Sequence, residues 1–241
     1  MRLDQRLVAL GLAPSRARAQ ALIAAGVVTV DGATATRPAQ PAQAGAAVAL
    51  AADPLPWVGR GALKLLHALD AFALSPSGAV ALDVGASTGG FTEALLSRGA
   101  AHVHALDVGR GQLHPRLRAD PRVSVHEGVN ARAIPEGLVP PVDWMVADVS
   151  FISLTLALPL HLAKPGATLV ALVKPQFEAG RAAVGKGGLV RDPAARAAAV
   201  ARVRDWLTAQ GWAVTGETES PIAGGDGNVE FLVAARAPAG A

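Results

Sequence analysis

The chain contains no cysteine and no tyrosine, and aromatic residues make up only 4% of it. Without cysteine, disulfides and thiolate metal sites are excluded, and we expect no metal centre. The scarcity of aromatic rings also indicates that stacking of bases on aromatic platforms is not the main route to any nucleic acid.

Long hydrophobic runs are missing as well. The most apolar stretch, residues 154–173, is interrupted by His161, Lys164 and Pro165, and is therefore too broken to cross a membrane. Charged residues at positions 2, 4 and 6 exclude a secretory signal. We therefore expect a cytoplasmic protein without a membrane span.

Positive charge is concentrated at the N-terminus. Residues 1–30 contain four arginines and one acidic residue, a net charge of +3 that equals the charge of the whole chain of 241 residues. This distribution indicates a polyanionic partner contacted by Arg2, Arg6, Arg16 and Arg18, although a solvated helix face would carry the same residues.

The first fifty residues predict a small α+β unit. Helical periodicity predicts helices over 2–10 and 16–25, each followed by a glycine. A strand over 27–30 runs into an Asp-Gly pair, which is a strong hairpin signal, and a second strand is expected near 46–51.

Residues 37–56 are rich in proline and alanine. They contain the last loop and strand of this unit and then a linker. We therefore assign residues 1–55 to a small N-terminal domain, 56–63 to a linker and 64–241 to a large domain. A chain of this length has room for one large and one small domain.

Strands alternate with helices in the large domain, which predicts an α/β fold with a mostly parallel sheet of seven strands. The predicted strands are Val80–Val84, His102–Asp107, Val123–His126, Trp144–Asp148, Thr168–Val173, Ala213–Glu217 and Glu230–Ala235. The predicted helices are Phe91–Arg98, Leu154–Leu162 and Pro193–Gln210. Only a loop separates the last two strands, so one antiparallel edge strand is expected.

One predicted strand runs directly into a glycine-rich turn and a helix at residues 81–92, Ala-Leu-Asp-Val-Gly-Ala-Ser-Thr-Gly-Gly-Phe-Thr. Glycine lets the backbone approach a ligand closely, and the helix N-terminus offers unpaired N–H groups to an anionic group. Open α/β sheets bind their ligands at this position.

The residues around the turn narrow the choice of ligand. No Lys-Ser/Thr pair follows, which disfavours a nucleoside triphosphate, and the glycine spacing misses the dinucleotide fingerprint. Asp83 precedes the turn and Asp107 ends the next strand, where a carboxylate can accept from ribose hydroxyls. S-adenosylmethionine, with a ribose, an ammonium and a carboxylate, fits best. NAD and a purely structural turn stay open as alternatives.

Only four of the 22 basic residues are lysines, so these lysines are candidates for chemistry that arginine cannot perform. Lys64 precedes the first strand of the large domain, and Lys174 directly follows the fifth. Asp148 ends the fourth strand and Glu230 opens the last. Because strand ends converge on the ligand crevice, the four residues could surround one ribose hydroxyl. A positive lysine would stabilise its developing charge, or a neutral lysine would remove its proton. Each residue alone is equally consistent with an ordinary ion pair.

The same residues carry a resemblance over essentially the whole chain. Residues 1 to about 55 resemble the alpha-L RNA-binding domain of a small-subunit ribosomal protein, pseudouridine synthases and tyrosyl-tRNA synthetases, and the match is carried by residues 2–4, 15–18 and 26–32. The chain from about residue 58 resembles the FtsJ-like ribose methyltransferases, and the pairing resembles the TlyA family. Members of that family methylate ribose 2′-hydroxyls of 16S and 23S ribosomal RNA and are often named haemolysins. The chain departs from the family at Gly59 and Ala62, where serine and glycine are usual.

The resemblance implies a Lys-Asp-Lys-Glu catalytic tetrad of Lys64, Asp148, Lys174 and Glu230, with Lys174 nearest the attacking hydroxyl. It also implies a lid that touches RNA at 180–192, although a plain surface loop would have the same composition. The expected cofactor-binding residues are Asp83, Gly85, Ala86, Ser87, Thr88, Gly89, Gly90, Phe91, Asp107, Val108, Asn130 and Asp148. The expected RNA-binding residues are Arg2, Arg6, Arg16, Arg18, Arg60, Arg181 and Lys186.

The expected function is S-adenosylmethionine-dependent 2′-O-methylation of ribosomal RNA within ribosomal subunits. The resemblance implies a cytidine target and a Rossmann-like methyltransferase sheet. We expect a monomer that needs no metal, since the donor already carries an activated leaving group. Two functions of other classes stay open: an RNA-binding assembly factor without turnover, and a membrane-active haemolysin, for which the sequence offers no amphipathic basic helix.

Overall fold

The structure, a computed structural model, describes residues 1–13, 15–43, 45–50 and 57–240. The chain divides into two units, Met1–Pro56 and Trp57–Ala241, each with its own buried core. The domain boundary expected at residue 55 lies outside the described residues.

The N-terminal unit is a helix pair that shares one core with a small antiparallel sheet. Its elements are α1 (Leu3–Ala9), α2 (Arg16–Ala24), β1 (Val28–Val30), β2 (Ala33–Thr34) and β3 (Val48–Leu50). Ser15 begins α2 by accepting a hydrogen bond from the backbone N–H of Arg18 at 3.2 Å. Leu3 and Leu7 of α1 and Leu22 of α2 are buried in the core, whereas Leu10, which helical periodicity predicts on the same face as Leu3 and Leu7, is 43% exposed because α1 ends at Ala9.

The strand order β2-β1-β3 corrects one expectation. The Asp31-Gly32 turn, with φ angles of 51° and 80°, does join a hairpin, since Val30 pairs with Ala33. The second strand of that hairpin is β2, which is only two residues long. The segment 46–51, whose last residue lies outside the described part of the chain, contributes β3 to the opposite edge of β1. The prediction of two strands was therefore wrong, because β1 pairs along both of its edges.

The large unit is a seven-stranded sheet with helices on both faces, as predicted. Its strands are β4 (Val80–Val84), β5 (His102–Asp107), β6 (Val123–Glu127), β7 (Val142–Ala147), β8 (Ala163–Val173), β9 (Ala213–Glu219) and β10 (Phe231–Arg236). They lie in the order β6-β5-β4-β7-β8-β10-β9. β10 runs antiparallel to both neighbours, so the antiparallel strand of this Rossmann-like sheet lies beside the edge strand β9.

The helices of this unit pack on the two faces of the sheet. They are α3 (Gly61–Ala71), α4 (Gly90–Ser97), α5 (Pro115–Arg118), α6 (Leu154–Ala157), α7 (Pro175–Glu178) and α8 (Pro193–Ala209). Short 3-10 helices cover Ala131–Ala133, Leu160–Leu162, Arg181–Ala183 and Lys186–Gly188. α3 and α4 share a core with one face, and α6 and α8 share a core with the other.

Two helices differ from the prediction. α3 begins inside the segment expected as a linker, 56–63, because Ala62, Leu65 and Leu69 form a buried stripe against the sheet. The helix predicted over Leu154–Leu162 is broken into α6 and a 3-10 turn. Pro159 is the cause, since it lacks an N–H and holds the residue before it in an extended conformation.

Among the described residues, no helix has the length and apolar character required to cross a membrane.

Candidate active site

The register of β8 and β10 brings two of the predicted residues together. Val173, the last residue of β8, is paired with Phe231, the first residue of β10. Lys174 directly follows Val173, and Glu230 directly precedes Phe231. Both therefore lie at the same end of this antiparallel strand pair. Asp148 directly follows β7, the parallel neighbour of β8. Three of the four tetrad candidates therefore lie at the carboxyl edge of the parallel strands.

Lys64, the fourth candidate, comes from α3 and not from a strand. A methyl group on Gly61, one turn earlier on α3, would lie 3.6 Å from Asp148 Oδ2 and 3.4 Å from the Phe91 ring. The first turn of α3 thus lies against both the end of β7 and the start of α4. Lys64, three residues later, is on the same helix face and reaches Glu230.

The four side chains form two lysine–carboxylate ion pairs. Lys64 Nζ lies 2.5 Å from Glu230 Oε2, and both side chains are almost fully buried, with relative exposures of 10% and 3%. Lys174 Nζ lies 2.7 Å from Asp148 Oδ1 and donates to Ser150 Oγ at 2.8 Å. A buried charge that loses its partner is strongly destabilising, so each pair fixes the position of its lysine.

A cavity of about 240 Å³ lies between the glycine-rich turn and the Lys174–Asp148 pair. Residues of the turn, of the segment before α3 and of the β7 and β8 ends line it together: Gly59, Arg60, Gly61, Gly85, Ala86, Ser87, Thr88, Gly90, Phe91, Asp148, Ser150 and Lys174. Seven of the twelve predicted cofactor-binding residues are among them. The structure therefore joins the predicted cofactor turn and half of the predicted tetrad in one cavity.

Two glycines of this cavity have close neighbours, and at Gly85 the neighbour is backbone, so glycine is required there. A Cβ on Gly85, whose φ is +85°, would lie 2.7 Å from the Asp148 carbonyl oxygen. A Cβ on Gly59 would lie 2.7 Å from Thr88 Oγ1. Such distances are well inside van der Waals contact. The space that a ligand would fill thus depends on the absence of side chains here.

Five predicted cofactor residues do not line the cavity: Asp83, Gly89, Asp107, Val108 and Asn130. Asp107 accepts from the backbone N–H groups of Ser87, at 2.8 Å, and of Gly109, at 2.7 Å, so it shapes the glycine-rich turn. Val108 is exposed beside it, and Asn130 accepts from the backbone N–H of Arg132 at 3.0 Å. A carboxylate has further lone pairs, so Asp107 can still accept from a ribose.

Asp83 is completely buried behind the turn and accepts from Thr92 Oγ1 at 2.7 Å. Its other oxygen, Oδ1, has no hydrogen-bond partner among the described residues. Burial raises the pKa of this carboxyl to about 7, and the nearby Asp148 and Asp107 charges add to the effect. Asp83 therefore holds the first turn of α4 through Thr92, and ionisation of its carboxyl is unfavourable at this buried position.

The sequence resemblance includes a segment beside the adenine at Glu127–Arg132, but the contacts of two side chains that support the site, Glu127 and Glu178, were not predicted. Glu127, at the end of β6, accepts from the backbone N–H groups of residues 111–113, and Arg118 lowers its pKa to about 2. Glu178, buried in α7, accepts from Leu154 N at 2.7 Å and from Ser153 Oγ at 2.6 Å. Burial raises the pKa of Glu178. No local pattern could reveal these contacts, because the partners lie 14 to 25 residues away.

A second and larger concavity, of about 650 Å³, adjoins the Lys174 loop. Its lining comes from the loop after β7 and from α7 and the segment beyond it: Phe151, Ile152, Ser153, Leu156, Gln176, Phe177, Gly180, Arg181 and Val184. Phe151 is 91% exposed, has a positive φ of 66°, and lies with its ring centroid 5.3 Å from that of Phe177. A strained, exposed aromatic residue beside Ser150 indicates a contact surface for substrate.

The predicted RNA-binding residues are distributed over both units. In the large unit, Arg60 lines the smaller cavity and Arg181 the larger, while Lys186 is exposed in the loop between α7 and α8. In the N-terminal unit, Arg2 and Arg16 are exposed. Arg6 and Arg18 are partly buried there. No group of three or more histidine, aspartate or glutamate side chains that could hold a metal ion occurs among the described residues.

Comparison with known proteins shows the family of the chain. Residues 57–237 match the FtsJ-like methyltransferase family, and residues 1–48 match the S4 domain. The 16S/23S rRNA (cytidine-2′-O)-methyltransferase TlyA of Mycobacterium tuberculosis is 50% identical over 236 residues, covering 96% of this chain and 88% of that protein. The chain belongs to the TlyA family of FtsJ-like methyltransferases.

Other TlyA-like relatives agree over the same length. Hemolysin A of Brachyspira hyodysenteriae is 39% identical over 238 residues, covering 96% of this chain and 98% of that protein. A solved structure from Streptococcus thermophilus, named as a hemolysin, is 39% identical with a TM-score of 0.77, covering 99% of this chain and 88% of that one. The family resemblance inferred from the sequence is confirmed.

Family membership makes this protein an S-adenosylmethionine-dependent methyltransferase. The donor set at the turn fits that cofactor. Backbone N–H groups at the N-terminus of α4 suit its carboxylate, Asp107 ends β5 where ribose hydroxyls bind in such folds, and the bare positions at Gly59 and Gly85 leave room for it.

The buried Asp83 leads to a pH-dependent prediction. Its pKa is near 7 in the folded protein and near 4 in the unfolded chain, so the unfolded state loses its proton first as pH rises. Its contribution to stability is therefore fully present below pH 4 and is lost as pH rises towards 7. Relative to wild type, Asp83→Asn should gain up to about 4 kcal/mol in free energy of unfolding between pH 4 and 8, at about 1.36 kcal/mol per pKa unit.

Urea unfolding of both proteins at a series of pH values measures this difference. The unpaired amide N–H₂ that asparagine introduces adds a cost, but that cost does not vary with pH. If the difference in free energy of unfolding between the two proteins does not change with pH, Asp83 is ionised in the folded state at neutral pH, and the prediction is wrong.

Proposed function

We propose that the protein methylates the 2′-hydroxyl of a cytidine in ribosomal RNA. The observation that carries the proposal is the Lys174–Asp148 ion pair in the wall of the glycine-lined cavity, with the buried Lys64–Glu230 pair at the start of the neighbouring strand β10. The activity named for the Mycobacterium tuberculosis relative supports both the ribose hydroxyl and the base. When bound, S-adenosylmethionine supplies the methyl group on a sulfonium that is already activated for transfer.

Lys174 is the residue that we assign to the reacting hydroxyl. Its ammonium lies at the cavity wall beside Ser150 and Asp148, so a positive charge would face the ribose oxygen as that oxygen gives up its proton to water and attacks. Ser150 accepts a hydrogen bond from that ammonium, and Asp148 supplies the neighbouring negative charge. Because the group is held before substrate arrives, little reorganisation is needed during reaction.

The Lys64–Glu230 pair has a positioning and electrostatic role in this proposal. It links α3 to the start of β10 through nearly buried side chains. Since Glu230 lies beside Lys174 in the strand register, its carboxylate and the Lys64 ammonium complete a set of alternating charges around the hydroxyl. Removing one partner would leave an unpaired buried charge next to the reacting atoms.

The cofactor is assigned to the turn and to the strand ends beside it. Gly85 to Phe91 would surround its methionine end, with Asp83 supporting the turn from behind. Asp107, Val108 and Asn130 lie along the ends of β5 and β6, where a ribose and a base would follow. These assignments rest on the placement of the residues at one edge of the sheet.

The target nucleoside is assigned to the concavity around Phe151. The ring of Phe151 is exposed beside Phe177, and hydrogen bonds of Ser150 to Lys174 and of Leu154 to Glu178 hold the loop on either side of it. A base stacked on it would bring its ribose towards Lys174. Arg181, in the same lining, would neutralise a flanking phosphate.

An RNA substrate implies RNA-binding roles for the S4 domain and for basic residues of the large unit. The S4 domain, with Arg2, Arg6, Arg16 and Arg18, would bind the RNA backbone and supply affinity more than base identity. Arg60, Arg181 and Lys186 would extend that contact, with residues 180–192 as a lid. We propose that the protein acts as a monomer in the cytoplasm on rRNA within ribosomal subunits.

Methyl transfer to isolated subunits tests the function. Labelled S-adenosylmethionine is incubated with unmethylated 30S and 50S subunits, and the nucleosides are analysed for 2′-O-methylcytidine. Wild type should label at least one subunit. Lys174→Met should reduce the rate by at least about a hundredfold, the scale for removing one charge-stabilising group. Lys164→Met, which removes an exposed lysine paired with Asp143, should leave the rate unchanged.

Cofactor binding, measured by calorimetry, separates the possible failures. Lys174→Met that binds S-adenosylmethionine as wild type does, but does not transfer the methyl group, supports the assigned role. Absence of label from wild type on subunits and on naked rRNA, with the cofactor bound, would leave an RNA-binding assembly factor as the better account.

Phe151→Ala tests the nucleoside position. Loss of one stacked base costs on the order of 1–3 kcal/mol, so KM for the RNA should rise by about tenfold or more. Phe151→Tyr keeps the ring and should behave as wild type. An unchanged KM for Phe151→Ala, or equal impairment in both variants, would place the nucleoside elsewhere.

A further inference from the structure

The N-terminal unit buries one carboxylate under its arginines. Asp4, in the first turn of α1, has no exposed surface. In a unit this small, a fully covered carboxylate is unusual, since ionised side chains are buried only where they are paired. The groups that pair with Asp4 therefore indicate its role.

Asp4 is the centre of a hydrogen-bond cluster that joins α1 to α2. Arg2 donates from Nε to Oδ1 at 3.0 Å and from Nη2 to Oδ2 at 3.2 Å, which is a two-pronged contact. Arg16 donates from Nη2 to Oδ2 at 3.2 Å, and Gln20, one turn later on α2, donates from Nε2 at 3.0 Å. The backbone N–H of Gln5 donates to Oδ1 at 3.0 Å. The Arg2 and Gln20 hydrogen bonds hold the pKa of Asp4 well below its usual range.

Both arginines remain accessible although the carboxylate does not. The side chain of Arg2 is 45% exposed and that of Arg16 is 56% exposed. Each guanidinium is planar and carries five N–H donors, so binding one edge to Asp4 fixes the plane and directs another edge outwards. The contacts to Asp4 do not use Nη1 of Arg2, or Nε and Nη1 of Arg16.

The charge of the cluster is low for a nucleic-acid contact. Two arginines and one carboxylate give a net charge of +1, so simple attraction is weakened by Asp4. What the carboxylate adds is order: two long side chains that would otherwise lose rotamer freedom on binding are already fixed. An arrangement of oriented donors with modest charge suits a phosphate in a defined position.

We propose that Asp4 is a positioning residue that makes Arg2 and Arg16 into one preorganised binding site for an RNA backbone phosphate. This site rests on the proposed function, since it deepens the role of the N-terminal unit in binding RNA. Selectivity would be for structured RNA, where phosphate positions are fixed, over a flexible single strand.

Asp4→Asn in the full-length protein separates positioning from attraction, because the two accounts predict opposite signs. The variant gains one positive charge, so attraction alone predicts tighter binding. Positioning predicts about tenfold weaker binding to structured RNA, because two arginine side chains must then be ordered on binding. The probes are a transcribed 23S rRNA fragment and poly(U), titrated by fluorescence anisotropy at fixed salt.

Asp31→Asn is the charge-matched control. Asp31 lies in the β1–β2 turn, where its Oδ1 accepts from Ala47 N at 2.8 Å, a contact that asparagine can keep. This control should bind both probes slightly more tightly than wild type. Asp4→Asn should instead lose affinity for the fragment and keep its affinity for poly(U). Tighter binding of the fragment by both variants would overturn the proposal.

A second comparison excludes a merely structural role. In a protein that already carries Arg2→Ala and Arg16→Ala, Asp4→Asn should cause no further loss of affinity, because the groups it positions are gone. A further loss of about the same size in that background would show that Asp4 only supports the fold of the unit.

Charge-conserving variants keep the test decisive if Asp4→Asn fails to fold. Arg2→Lys and Arg16→Lys retain the charge at exposed positions but cannot form the planar contact. Positioning predicts that the double lysine variant binds the fragment about tenfold more weakly than wild type, and that the double alanine variant, which also loses two charges, binds it more weakly still. Binding equal to wild type would overturn the proposal. If even the double alanine variant binds as wild type does, the RNA-binding role of these arginines fails instead.

Discussion

The register between β8 and β10 is the constraint on which the site depends. An antiparallel strand inserted beside a parallel one places the start of β10 against the end of β8, so that Glu230 and Lys174 meet at one edge of the sheet. A slip of β10 by one residue would turn Glu230 to the face opposite Lys174. Asp148 reaches the same edge from β7, and Lys64 reaches it from α3.

The electrostatics of this edge are arranged for function more than for stability. A buried ion pair stabilises a fold little, because desolvation of both groups offsets their attraction. Lys64 and Glu230 are nevertheless almost completely buried, and Asp83 is buried with its pKa near 7. Charges kept at such a cost are typical of sites where their orientation matters. The same reasoning applies to Asp4 in the N-terminal unit.

Much of this arrangement follows from the sequence. The glycine-rich turn at 85–90 and the strand ends at Asp107, Asp148 and Lys174 are local patterns, and topology alone brings them to one edge. The confirmed family membership agrees with what those patterns imply.

The remaining features depend on contacts between distant residues. α3 was not predicted because its first residue, Gly61, and the preceding Gly59 and Arg60 have the composition of a linker. The roles of Glu127 and Glu178 as backbone acceptors arise only when the loops fold back on them. Phe151 was missed because the low aromatic content argued against base stacking, whereas a single exposed ring is enough to form one platform.

The central claim is that both lysine–carboxylate pairs act on one ribose oxygen. Single-turnover methyl transfer, at saturating cofactor, by Asp148→Asn, Glu230→Gln and the double variant tests it most directly. If the pairs act as a unit, the double variant will be hardly slower than the slower single variant, since residues that act together are strongly non-additive. If the fold losses multiply, the two pairs act independently, and the account of a single four-residue site is wrong.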